Sequence, residues 1–473
     1  MMLYLLHIIF IILSNSKLNY SEEFIRKYYC PKNENEKTIR YDWYKHEQIQ
    51  TYCDVFLDCK RIFNNDIEYI KDKAKNRLIY KDVDIPMDCE DIYFRNYFLK
   101  FPLSETERQF PIAYAKDYRF LEAELATNYH PQNWYCFAVD SKADDIFYKN
   151  ILSLAGCFPN VIVPKERFSV DSAGQKISKI FKKLFFQGHG MGKAHLSCFK
   201  ELIKKERKWE YLVTLQNHDI QIKTNEEMVQ IFKWLDGACD AGFDVIGSAQ
   251  IERKAHLLSV SDWTFESLHI FKNESLNKRL NDKGLPLKLN LTKGHVEASL
   301  ARPLVDFIVN ELDLTKMLDH LDSCYYAGDE FFIQTLVTSD DLRAPNAFTH
   351  KCIEFGNEKL WPQNDYYVTR IANWGTSNCY SKILRHNVCI FGMEDLVPNL
   401  NNSKYLFVNK MMPESDFGAI LCWHEEMRRR TLVNKGLHRL NASLYQNWPQ
   451  TRFHKEWVKT NGNVDLDNFN CTN

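Results

Sequence analysis

Apolar and polar positions divide the chain into three stretches of different character. Residues 2–13, MLYLLHIIFIIL, are apolar but for His7 and are followed by the polar SNSK. That run is shorter than the roughly 20 residues a spanning helix needs, so residues 1–14 read as a cleaved signal peptide or a short signal anchor. Residues 15–105 are polar, rich in Lys, Asp and Tyr, and without sustained periodicity; they read as a stem and N-terminal cysteine region. From Pro111 the pattern changes. Short apolar runs at 134–140 (WYCFAVD), 160–163 and 211–215 alternate with helical stretches near 143–155 and 193–207. Thr224 and Glu227 have the spacing of a capping box, opening a helix with Met228, Ile231 and Leu235 on its apolar side. A helix near 302–320 follows, then Asp329-Glu330 ahead of the apolar FFIQTL, strands at 388–391 and 406–408, and a helix from about 417 to 430. The alternation predicts an α/β fold over 106–445, with a mixed, mostly parallel sheet covered on both faces. Ligands of such sheets bind beyond the carboxyl ends of the strands, where Asp140 stands. Residues 446–473 are set apart as a C-terminal tail.

Composition narrows the function classes. A chain of 473 residues with 45% hydrophobic and 26% charged content buries a sizeable core. The 61 Lys and Arg balance 62 Asp and Glu, so no basic surplus attracts a polyphosphate backbone, and nucleic acid is not an expected partner. Fourteen cysteines without a single CxxC pair favour disulfides over zinc, and hence an oxidising compartment. Asn-x-Ser/Thr sequons at Asn19, Asn273, Asn290, Asn401, Asn441 and Asn470 agree with a secretory route.

Motifs of common enzyme classes are missing: no Walker loop, no GxSxG and no HExxH occur. The cluster Gly188-His189-Gly190-Met191-Gly192 lacks dinucleotide-loop spacing and reads as a flexible turn. DxD triplets, which many nucleotide-sugar enzymes use to hold a divalent metal, occur as Asp82-Val83-Asp84 and Asp465-Leu466-Asp467, both outside the α/β region. His189, His195, His218 and His256 have no metal-ligand spacing and read as surface or core histidines.

Several longer words, in order, carry more information. They are PLSETERQFPIAYA (102–115), PQNWYCFAVD (131–140), CFPNVIV (157–163), WEYLVTLQNHDIQIKTNEEMV (209–229), AGDEFFIQTL (327–336), NVCIFGMEDL (387–396), LFVNK (406–410) and DFGAILCWHEEMRRR (416–430). Over 59–430 the chain resembles the core 2/I-branching β-1,6-N-acetylglucosaminyltransferase family, which also contains peptide O-xylosyltransferases. The resemblance implies a GT-A-like nucleotide-sugar-binding fold for 106–445. It also implies an inverting transfer of N-acetylglucosamine from UDP-GlcNAc to a hydroxyl of a glycan or glycoprotein acceptor, in the Golgi lumen. No cofactor or metal is implied, because basic side chains stand in for the ion. Lys410 matches one such cation, and His386 or the adjacent Arg385 the other. Asp140 and Phe186 match uridine contacts, Trp374 an aromatic that packs on the acceptor sugar, and Glu330 the catalytic base. Thr376 stands where the family has a tyrosine, which leaves acceptor identity open. The implied bridges are Cys59 with Cys422, Cys89 with Cys157, Cys136 with Cys198, and Cys379 with Cys389. Cys30, Cys53, Cys239, Cys324, Cys352 and Cys471 receive no partner. A xylosyltransferase-like specificity and a catalytically silent lumenal glycan-binding protein are the alternatives.

Overall fold

The computed structural model describes residues 57–79, 87–96, 98–116, 121–170, 189–206, 208–243, 248–324, 327–358, 367–432 and 440–472. The signal segment 1–14, Asn19, Cys30, Cys53, Asp82-Val83-Asp84 and Phe186 lie outside these residues. In chain order the strands are β1 (Ile112–Lys116), β2 (Trp134–Phe137), β3 (Val161–Ile162), β4 (Tyr211–Thr214), β5 (Ile220–Gln221), β6 (Asp240–Phe243) and β7 (Gly294–Ala301). They continue with β8 (Arg370–Ala372), β9 (Leu384–Arg385), β10 (Val388–Cys389) and β11 (Phe407–Asn409).

A six-stranded sheet runs β3-β2-β1-β4-β7-β6. The pairs β3/β2, β2/β1 and β1/β4 are parallel, whereas β7 runs antiparallel to β4 and β6. Every residue of β2 and β4 is buried, the signature of a parallel sheet covered on both faces. A smaller sheet, β5-β11-β8, packs against the large one, with the Phe407 ring of β11 against Tyr114 of β1 and the Thr369 hydroxyl, just before β8, 2.8 Å from the Ser299 hydroxyl of β7; β9 and β10 form a separate hairpin. Because β7 is antiparallel to β4, its first residues reach the carboxyl edge of the parallel strands.

Local chemistry explains the element ends. The Thr224 hydroxyl accepts from the Glu227 amide at 3.2 Å and the Glu227 carboxylate accepts from the Thr224 amide at 2.7 Å, closing the capping box. Glu227 then pairs with buried Arg430 at 2.7 Å, joining that helix to the last long one, Pro413–Leu432. Of the glycine cluster, Gly188 lies outside the described residues and the rest leads directly into a helix. Gly190, at φ +79°, opens the helix Met191–Ile203, and a Cβ there would collide with the Ser169 carbonyl oxygen, so backbone conformation and close approach both require glycine. The stretch 302–320 is two helices, Arg302–Asn310 and Thr315–Asp322, because Asp313 turns its carboxylate onto the Thr315 amide at 3.0 Å and starts the second.

The described residues form two main apolar cores. The larger surrounds the six-stranded sheet and includes Tyr445, Trp448, Phe453 and Cys471, so the C-terminal segment packs as part of the domain. The smaller joins Cys59, Ile62, Ile70 and Leu78 to Cys389, Phe391, Val408, Cys422 and Trp423, fastening part of the stem beneath β11. Arg77 reinforces this by pairing with Glu394 and Asp416. Disulfides Cys59–Cys422, Cys89–Cys157, Cys136–Cys198 and Cys379–Cys389 are formed, and a further one, Cys352–Cys471, joins two cysteines the sequence left without partners. Cys239 and Cys324 are buried and belong to none of these five bridges. Among the described residues no helix is long and apolar enough to cross a membrane.

Candidate active site

The carboxyl edge of the sheet gathers the charged groups. Glu330 lies on a single 3-10 turn, Gly328–Phe331, that runs into the helix Phe332–Thr338. Its neighbour Asp329 is buried and accepts from the Gly192 amide at 3.2 Å, which pins the turn to the start of the helix Met191–Ile203. Burial pushes the Asp329 carboxyl up to about 8. Glu330 itself is about one-third exposed, with side-chain accessibility of 33%. Its Oε2 is 2.9 Å from Arg253 Nη1 and 3.1 Å from Lys293 Nζ. Arg253 comes from the helix Ser248–Val260 and Lys293 from the residue before β7, so cations from two elements meet on one oxygen.

A second group surrounds Lys410, which directly follows β11 and is half-buried. Burial, followed by the nearby charges of Arg385 and Arg370, lowers its pKa. The hairpin β9/β10 carries Arg385 as the last residue of β9, and its two-residue loop is His386-Asn387, with φ of +50° and +64°. Two consecutive positive φ values are the geometry such tight hairpins demand, and Asn at the second position tolerates it. The segment before it pairs with the hairpin: the Cys389 amide donates to the Asn373 carbonyl and the Gly375 amide to the Asn387 carbonyl, each at 2.8 Å. The Phe391 amide donates to the Lys410 carbonyl at 3.0 Å. One loop cluster therefore holds Trp374, Arg385, His386 and Lys410 together. Trp374 is 58% exposed, unusual for so large an apolar side chain and suited to a ligand-facing ring. The buried Asp395 carboxylate braces the cluster by accepting from the amides of Tyr380, Ser381 and Gly392 at 2.8 to 3.0 Å.

Between the two groups lies a buried ion pair. Arg370 Nη2 is 2.9 Å from Glu297 Oε2, and Arg370 Nη1 is 3.9 Å from Asp219 Oδ1. Asp219 also accepts from Asn409 Nδ2 at 2.8 Å, beside Lys410. Burial pushes Glu297 up to about 8 against the pull of Arg370. Arg370 is driven the other way: burial opposes its charge, but Glu297 and Asp219 outweigh that and raise its pKa. The charge of Glu330 acts on Glu297, and the charges of Arg370, Asp219 and Glu297 act on Lys410, so the pair spans the two groups electrostatically.

Asp140 is three residues past β2, half-buried, and accepts from the Lys142 amide at 2.8 Å; Arg167 Nη2 donates to its carbonyl at 2.7 Å. Asp140 and Asp219 thus both follow carboxyl ends of parallel strands, on the edge that β7 enters with Lys293. Arg253, Lys293, Glu297, Arg370 and Asp219 were not singled out by sequence. Asp219 lies within one of the words that carry the resemblance (209–229), but Arg253, Lys293, Glu297 and Arg370 carry no local signal. His195, as a core histidine, is buried. Among the described residues no group of three or more His, Cys, Asp or Glu side chains is arranged to hold a metal ion. Of the sequons, Asn273, Asn441 and Asn470 are exposed, while Asn290 and Asn401 are half-buried.

A family model described as Core-2/I-Branching enzyme matches residues 110–398. The human beta-1,3-galactosyl-O-glycosyl-glycoprotein beta-1,6-N-acetylglucosaminyltransferase is 25% identical over 398 residues, covering 80% of this chain and 86% of that relative. The Bos taurus protein of the same name is 25% identical over 402 residues, with 80% and 86% covered. The human beta-1,3-galactosyl-O-glycosyl-glycoprotein beta-1,6-N-acetylglucosaminyltransferase 3 is 24% identical over 401 residues, with 80% and 85% covered.

Proposed function

The chain belongs to the Core-2/I-branching enzyme family and is a glycosyltransferase; from that premise we propose that it moves N-acetylglucosamine from UDP-GlcNAc to a glycan hydroxyl in β-1,6 linkage, by one inverting displacement without a metal ion. The observation that carries this reading is Glu330, a partly exposed carboxylate at the carboxyl edge of the sheet, held through one oxygen by Arg253 and Lys293. A sugar hydroxyl is a weak nucleophile. A carboxylate in hydrogen-bond reach takes its proton as the oxygen attacks the anomeric carbon, a contribution of typically 10²–10⁴-fold. Attack opposite the leaving UDP converts an α-linked donor into a β-linked product. Negative charge then grows on the diphosphate, and fixed cations placed there stabilise it. Lys410 and Arg385, close enough for their charges to interact, are suited to that work. His386, on the same hairpin, is available beside them, Asp140 is suited to the uridine, and exposed Trp374 to the acceptor sugar. The same reading puts the protein in the lumen of the secretory pathway, in the Golgi, where its disulfides are stable.

The test is UDP release from UDP-GlcNAc, with UDP-xylose in parallel, on a β-1,3-galactosyl-O-glycosyl peptide. Glu330→Gln keeps size and polarity but not basicity, so it should bind UDP normally and lose roughly 10²-fold or more in turnover. EDTA should leave the wild-type rate unchanged. Wild-type turnover in Glu330→Gln would end the base assignment, and an EDTA-sensitive rate restored by manganese would end the metal-free one.

A further inference from the structure

We propose that Lys293 is a positioning residue for the transfer: it fixes Oε2 of Glu330 so that Oε1 is presented to the acceptor hydroxyl. The inference rests on Glu330 being the base. Lys293 Nζ and Arg253 Nη1 lie 3.1 and 2.9 Å from the same carboxylate oxygen. The cations are the covered members of the cluster, with side chains only 11% and 7% exposed against 33% for Glu330. A solvated surface pair would show the lysine outermost; here the carboxylate faces out and the ammonium lies behind it.

The backbone on both sides of Lys293 is tied to the helix Phe332–Thr338, which directly continues the turn that carries Glu330. On one side, the Thr292 amide donates to Thr335 Oγ1 at 3.1 Å, and the two hydroxyls of Thr292 and Thr338 are 2.7 Å apart. On the other, Gln334 Nε2 donates to the His295 carbonyl. Gly294, the next residue, lies so close to the Gly242 carbonyl that no Cβ fits, which holds the start of β7 against β6. Lys293 and Glu330 are therefore opposite ends of one cross-braced unit, and their contact follows from backbone placement. Arg253 approaches from a separate helix, so the two cations restrain the carboxylate from different directions. Glu297 and Asp329 are the acidic groups whose electrostatics Glu330 also enters. Restraining one oxygen removes carboxylate rotations that would turn the reactive lone pair away from the acceptor, and small misplacements of a catalytic group can cost up to about 10²-fold.

A four-way kinetic comparison tests this, using wild type, Lys293→Met, Glu330→Gln and the double variant, with UDP-GlcNAc and the β-1,3-galactosyl-O-glycosyl peptide. Lys293→Met should lower kcat by about 10-fold or more while KM for UDP-GlcNAc and the melting temperature stay near wild type. Lys293→Arg should recover most of the loss. In the Glu330→Gln background the Lys293→Met change should have almost no further effect, because a residue acting through Glu330 has nothing left to act on. Full kcat in Lys293→Met with an inactive Glu330→Gln would overturn the role of Lys293 and leave the base assignment standing. Full multiplication of the two losses in the double variant would likewise overturn it. If Lys293→Met does not fold, Lys293→Gln, which keeps a donor without the charge, takes its place in the same comparison. Wild-type turnover in Glu330→Gln would remove the base and this inference together.

Discussion

Replacing both Cys352 and Cys471 with Ala should destabilise the protein by an amount the chain topology sets. The two residues are 119 apart in sequence, and the loop they close contains the Cys379–Cys389 bridge, which bypasses only ten residues of it. On the chain-entropy model, closing a loop of this length removes unfolded-state freedom equivalent to about 5 kcal/mol, and native bridges in practice contribute about 2–5 kcal/mol. Ala places no new hydroxyl at these buried sites and preserves the Asn470-x-Thr472 sequon. What remains to hold the C-terminal segment is packing and a few hydrogen bonds: Phe453 meets Phe348 at 5.7 Å and Phe469 at 5.2 Å, edge to face, the Tyr445 hydroxyl donates to the Lys404 carbonyl at 3.0 Å, and Lys351 donates to the Leu466 carbonyl. Such aromatic pairs add about 0.5–1.5 kcal/mol each beyond burial, less than the bridge. The double variant should therefore fold, lose about 2–5 kcal/mol of stability and so unfold at lower urea, and exchange amide hydrogens faster in the helix Pro449–Lys459 than elsewhere in the domain. Urea unfolding and peptide-resolved hydrogen exchange measure both. An unchanged urea midpoint together with unchanged exchange in that helix would refute the reasoning.

Two further outcomes follow from the charged groups. Lys410→Ala should weaken UDP binding about 10–100-fold by calorimetry, the range for a lost charge-assisted contact, while Lys459→Ala, at a side chain 75% exposed, leaves it unchanged; equal UDP affinity in both would remove Lys410 from the donor site. Asp329 has its pKa raised by burial from 3.8 to about 8, so the native state keeps a proton that the unfolded chain releases. Its stabilisation is complete below the lower value and is lost as pH rises through the higher. Asp329→Asn should flatten the fall of stability between about pH 5 and 8 by up to about 1.4 kcal/mol per pH unit, leaving the slope due to Glu297 and, below about pH 6, to Asp240 and Asp340, whose carboxyls burial also raises; parallel melting curves across pH for the two proteins would contradict this.

The parts of the fold that were legible in the sequence are those where local chemistry and structure agree. Thr224 and Glu227 mark a helix start because their side chains serve the backbone next to them. The runs at 134–140 and 211–215 signal β2 and β4 because both faces of those strands are apolar surroundings. β7 escaped notice for the opposite reason. Its sequence GHVEASLA carries Glu297 and Ser299 inward, each facing a distant partner: the Arg370 guanidinium for the first, and the Thr369 hydroxyl at 2.8 Å for the second. Periodicity cannot register a buried carboxylate whose partner lies more than 70 residues away along the chain. The clamp on Glu330 was hidden in the same way, since Arg253 and Lys293 are ordinary basic residues until tertiary structure brings them to one oxygen. The Cys352–Cys471 pairing has no signature in spacing at all.

Two of the long bridges interleave along the chain. Cys59–Cys422 encloses Cys352 but not Cys471, and Cys352–Cys471 encloses Cys422 but not Cys59. Any single peptide bond cut between residues 59 and 471 therefore falls inside at least one of the two closed circuits. Under oxidising conditions a lone proteolytic nick anywhere in that span, including the long segment 171–188, leaves one covalent molecule of unchanged mass apart from the added water. Only reduction, or a second cut suitably placed, sets a fragment free.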